Sequence, residues 1–188
     1  MAWSENVILI DAAYLDRFAH ELAEFFKATL GRNIPKADLA LWLDYVALDA
    51  GLQPGDHQVQ AIFLHPAEKK SLDLFTPGGF AEELDGKAFR DNLGEFTIQT
   101  ATPADIIPQE EFFLQCLETV AQATNTKRIM LIGDMLHSGS ELRQAAAAIS
   151  DKDIVLFTPS PKAGSSPQEV NISYGIMAAF GIKGEELG

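Results

Sequence analysis

The chain has 188 residues, 47% of them hydrophobic and 22% charged, which suits one globular domain, residues 1–188, with a single sizeable core. Its formal net charge of −13, from 27 acidic against 14 basic residues, argues against non-specific nucleic-acid binding, which draws its affinity from neutralised phosphates. One cysteine, Cys116, excludes an intramolecular disulfide. No apolar stretch approaches a membrane span, and the first residues lack the pattern of a secretory signal, so the cytoplasm is the expected compartment.

Residues 7–11, Val-Ile-Leu-Ile-Asp, form an apolar run closed by a carboxylate and read as a buried parallel strand. A helix is predicted over about residues 14–30, where Leu15, Phe18, Leu22, Phe25 and Phe26 recur at helical spacing and Gly31 supplies a C-cap. A second helix covers about 36–50, with Leu39, Trp42, Leu43 and Val46 on one stripe, and residues 59–64 read as a strand. Residues 66–92 are the least regular part, broken by Pro77-Gly78-Gly79. They read as an excursion over the sheet edge, a lid or a plain surface loop, with one short helix near 80–84.

Residues 96–100 alternate like a half-exposed strand. The helix over about 108–123 takes Pro108 in its first turn and turns Phe113, Cys116, Leu117 and Val120 inward. Residues 129–134, Ile-Met-Leu-Ile-Gly-Asp, repeat the pattern of the first strand, and a helix over 139–149 and a strand over 154–157 follow. Residues 159–167 form a Ser- and Pro-rich loop, and the apolar tail over 170–188 ends the chain. Its 172–182 segment is expected to add a last helix or to pack on a protein partner or a second copy. Strands alternating with helices predict an α/β three-layer sandwich with a mostly parallel central sheet of about five strands.

The chemistry is expected where strands end. Asp11 and Asp134 each follow a buried strand, and open α/β sheets bind ligands beyond the carboxyl ends of their strands. Each also has a structural role open to it, as a helix cap or turn former. Glu110 and Glu111 stand in the first turn of the preceding helix, where the dipole favours acids, and Asp105 lies just upstream. Carboxylates converging on one point repel each other, and Mg²⁺ or Mn²⁺ relieves that repulsion while activating water for phosphodiester hydrolysis. His137 and Ser138 follow Asp134 closely, but Ser138 with Glu141 fits a capping box. Walker and dinucleotide-binding glycine motifs are absent, as is the nucleophile elbow.

The order strand–Asp–helix, acidic helix, strand–Gly–Asp–loop–helix over about residues 7–158 resembles the PIN-like (Rossmann-like) nuclease superfamily, especially its NYN branch. Ile10-Asp11 matches the end of that family's first strand, and Gly133-Asp134 matches the centre of its late Ser-Gly-Asp-x-Asp-Phe motif. Glu111 is the natural counterpart of its helical acid. The resemblance implies Asp11, Glu111 and Asp134 as catalytic, metal-holding residues. Four positions depart from the pattern: Tyr14 stands for an Asn, Ile132 for the Ser, Leu136 for the second Asp and His137 for the Phe.

Two functions therefore compete. The first is a degenerate, non-catalytic PIN-like binding or assembly module. The other is a metal-dependent phosphodiesterase acting on RNA, which needs a local basic patch that a chain of net charge −13 does not promise.

Overall fold

In the computed structural model, which describes residues 2–188, strand β1 (Asn6–Asp11) is the middle strand of a seven-stranded sheet, and all six of its residues are buried. It leads into α1 (Ala12–Leu30), a two-residue strand β2 (Ala37–Asp38), α2 (Leu39–Asp49) and β3 (His57–Leu64). Next come β4 (Phe75–Thr76), a π-helical turn (Phe80–Leu84), β5 (Ala88–Asp91) and β6 (Gly94–Ala101). The second half contributes α3 (Gln109–Ala121), β7 (Arg128–Ile132), α4 (Gly139–Ala147) and β8 (Asp153–Thr158). It closes with β9 (Gln168–Asn171), α5 (Ser173–Ala179) and a 3₁₀ turn (Gly184–Leu187). Among the described residues no helix is long and apolar enough to cross a membrane.

The sheet runs β5-β6-β3-β1-β7-β8-β9, with β5 antiparallel to β6 and every other pair parallel. The six parallel strands thus lie in the order third, second, first, fourth, fifth, sixth, the doubly wound arrangement. The chain builds outward from β1 through β3 to β6, then crosses back to set β7 on the other side of β1. The carboxyl ends of β1 and β7 flank that reversal.

Period-two burial divides the strands between two cores. Ile8, Ile10, Met130, Ile132 and Phe157 face a layer made by α1, α2 and α5, with Leu15, Trp42, Leu43 and Ile176. Val7, Leu9, Ile129, Leu131 and Leu156 face α3 and α4 through Phe113, Leu117 and Leu142. Each large side chain fully buried in this way contributes roughly 1.5–3 kcal/mol. Asp11 caps α1 by accepting from the Tyr14 N–H at 3.1 Å, and Gly31 closes the helix at φ 66° with its N–H on the Lys27 carbonyl.

Two expectations change. The sheet has seven strands, not about five, because β5 and β9 are half-exposed edge strands without an apolar run to announce them. Phe25 lies off the buried stripe of α1 and is exposed. The last helix expected in the apolar C-terminal segment forms as α5, and Ile172, Ile176, Phe180 and Ile182 are buried in the layer with α1 and α2. At Gly175 an added Cβ would lie 3.4 Å from the Tyr45 Cβ, so α5 sits tightly on α2. The 66–92 excursion holds β4, the π-helical turn where a short helix is expected, and β5.

Candidate functional site

Asp11 and Asp134 lie near enough for the Asp134 charge to act on Asp11, beyond the carboxyl ends of β1 and β7, where a sheet that reverses its strand order forms a crevice. Two local features make it. α1 leaves β1 toward one face of the sheet while α4, after β7, packs on the other. Gly133 lets β7 end between two packed side chains, since a Cβ there would meet Leu142 Cδ1 at 2.8 Å and Phe113 Cζ at 3.2 Å.

Asp11 is almost wholly buried. Besides the Tyr14 N–H, it accepts from Gln109 Nε2 at 3.4 Å, and the same amide nitrogen donates to the Leu64 carbonyl at 2.9 Å. Burial pushes the Asp11 carboxyl above the ordinary range, opposed by the Tyr14 and Gln109 hydrogen bonds; the Asp134 charge adds to the rise and the Arg17 charge offsets it. Burial also raises the Tyr14 phenol, with the Asp134 charge next in weight. The Tyr14 hydroxyl and Gln109 Oε1 are buried without a hydrogen-bond partner among the described residues.

Asp134 is engaged on every side. Oδ2 accepts from Arg17 Nη2 at 3.0 Å and from His137 Nδ1 at 2.8 Å, and Oδ1 accepts from the Leu136 and His137 N–H groups, each at 3.1 Å. Four donors fill what two carboxylate oxygens accept. Arg17 also lies over the Tyr14 ring, 6.0 Å from its centroid. Leu136 and His137 are both exposed beside it.

Glu111 is not part of this set. It is exposed and accepts from Gln115 Nε2 at 3.2 Å, one turn along α3. Glu110 and Asp105 are exposed as well. The α3 residue that reaches Asp11 is Gln109, a neutral amide with no acidic signature to mark it. Arg17 was hidden for a related reason: on an amphipathic helix its charge reads as part of the solvated face.

The capping box expected at Ser138 does not form. The Ser138 side chain makes no capping bond, and Asp134 shapes the turn into α4 instead, its carbonyl taking the Ser138 N–H at 2.8 Å. Asp134, five residues before the first residue of α4, takes the Leu136 and His137 N–H groups, which lie upstream of the donors a Ser138 hydroxyl would cap.

An Mg²⁺ or Mn²⁺ ion held by Asp11, Glu111 and Asp134 does not fit this donor set. A guanidinium and an imidazole already occupy Asp134, Asp11 faces an amide, and Glu111 runs along its own helix. Among the described residues no group of three or more His, Cys, Asp or Glu side chains is placed to hold a metal ion.

No curated protein and no solved structure is matched by this chain. One family model does match it, over residues 1–187. The chain therefore belongs to the family described as "Family of unknown function (DUF6621)".

Proposed function

We propose that this protein is a degenerate PIN-like domain that serves as a non-catalytic binding or assembly module. The observation that carries the reading is the Arg17–Asp134 contact at 3.0 Å: the chain supplies its own cation to the carboxylate that a nuclease of this type leaves for metal. The strand order and the two strand-end aspartates at its reversal support PIN-like ancestry. Arg17 and Lys69 beside the two aspartates are both ion-paired, to Asp134 and Asp16, so neither is free to recruit an RNA phosphate there.

The rim of the crevice suits a protein partner better. Ile106, 92% exposed, lies on the loop that leads into Gln109, and Leu136, 70% exposed, lies two residues after Asp134.

Calorimetric titration with Mn²⁺, run beside a single-stranded RNA cleavage assay, tests the reading. The expected result is no binding below about 1 mM and no cleavage. Micromolar Mn²⁺ binding that disappears in Asp11→Asn plus Asp134→Asn, together with cleavage, establishes the phosphodiesterase alternative instead.

A further inference from the structure

A second cavity lies along the same carboxyl edge of the sheet, at the ends of β3 and β6 and outside the Asp11–Asp134 crevice. Its volume is about 640 Å³, within the roughly 300–1,000 Å³ usual for small-molecule sites. His65, the residue after β3, is its fixed polar point. The ring is only 7% exposed and stacks face to face on Phe80 of the π-helical turn, with centroids 3.9 Å apart and planes 10° apart. Its Nδ1 lies 2.9 Å from the Pro66 carbonyl, which only accepts, so Nδ1 carries a proton. In the neutral ring Nε2 is then a bare acceptor, and no described residue donates to it.

The charges at the mouth are equally unspent. Lys70 and Glu82 both line the cavity, and neither has an ion-pair or hydrogen-bond partner for its charged group among the described residues. Phe80, Ala81 and Ala101 supply apolar lining, and Thr100 and Thr102 line the cavity as well. A cation and an anion on one rim select against a polyanion, as does the net charge of −13, whereas a zwitterion meets both without net repulsion.

We propose that this cavity binds a small zwitterion of the amino-acid class, its carboxylate on Lys70, its ammonium on Glu82 and a side-chain N–H or O–H on Nε2 of His65. The stacked Phe80 holds the imidazole in place, so the acceptor is oriented before the ligand arrives. Phe80, Ala81 and Glu82 of the π-helical turn all line the cavity. This inference does not rest on how the Asp11–Asp134 crevice is used.

Saturation-transfer NMR on the full chain, with the standard L-amino acids as a mixture at about 1 mM each, followed by calorimetry of whichever responds, tests it. At least one amino acid is expected to show transfer. Its affinity is expected to fall at least about tenfold in Lys70→Met, in His65→Phe, and when its des-amino acid replaces it. No transfer from any amino acid overturns the proposal. Binding unchanged in both variants places the ligand elsewhere and overturns it too, and equal binding of the des-amino acid removes the zwitterion. His65→Phe keeps the stack on Phe80; should it fail to fold, Lys70→Met, on the exposed surface, decides.

Discussion

Arg17 Nη2 and Asp134 Oδ2 meet at 3.0 Å, joining the first helix to the turn after β7 across the crevice where the sheet reverses. The pair does two things. It neutralises Asp134, and its positive end lowers the pKa of the neighbouring Asp11, which burial raises. Replacing Arg17 with Met is thus expected to move the Asp11 carboxyl further upward, read from its carboxyl ¹³C shift during a pH titration. The stability loss should be small, about 0.5 kcal/mol, because the Arg17 side chain is 54% exposed.

Asp134 is the structural centre of its turn, and Glu111 is not the centre of anything. Asp134→Ala strips the partner from two N–H groups, a guanidinium and an imidazole, and should cost about 2 kcal/mol in chemical denaturation. Glu111→Gln, at an exposed position, should stay within about 0.5 kcal/mol of the parent. Equal losses in the two variants would contradict the geometry.

Asp16 ties the excursion to α1. Buried beneath it, its carboxylate accepts from Lys69 Nζ at 2.8 Å and from the Asp73 and Leu74 N–H groups at 2.8 and 2.9 Å. Asp16→Ala leaves two backbone donors without partners and should cost about 3 kcal/mol. Limited proteolysis should cut first within residues 69–76, before any cleavage in the central sheet.

Stability should also carry a pH signature from Asp44 on α2. Burial, then the hydrogen bond and charge of the Asp91 side chain, and last the Asp38 charge, raise its carboxyl to about 7. An unfolded Asp titrates near about 3.9. A group whose pKa is higher in the fold stabilises fully below the unfolded value and loses that contribution as pH rises through the folded one. Asp44 therefore favours the fold at pH 4 and ceases to by pH 8. Asp44→Asn should flatten this slope, gaining on the parent between pH 4 and pH 8 by on the order of 1 kcal/mol once half-exposure is allowed for. Denaturation midpoints at the two pH values measure it.

What the sequence made legible was what burial writes into it. The runs at 7–11 and 129–134 are apolar on both faces because both cores press on them, and the stripe Leu39, Trp42, Leu43, Val46 is buried as its spacing requires. β5 and β9 were not legible, since an edge strand with one solvated side carries no such run. The two aspartates stand out because strand ends are few. Their partners do not, because Arg17 and Gln109 are ordinary helix-surface residues until the fold turns them toward a carboxylate. Glu111 misled for the converse reason: an acid in a first turn suits the helix dipole whether it points at a neighbour or along its own helix.

The dependence of the α1–α2 face on α5 has a consequence for biosynthesis. Trp42, Leu43 and Val46 are translated more than a hundred residues before Ile176 and Phe180, which complete their layer. At roughly 5–20 residues per second, the growing chain leaves that face uncovered for on the order of ten seconds. During that interval a chaperone has an aromatic surface to hold, and a stalled ribosome would present a polypeptide that cannot close.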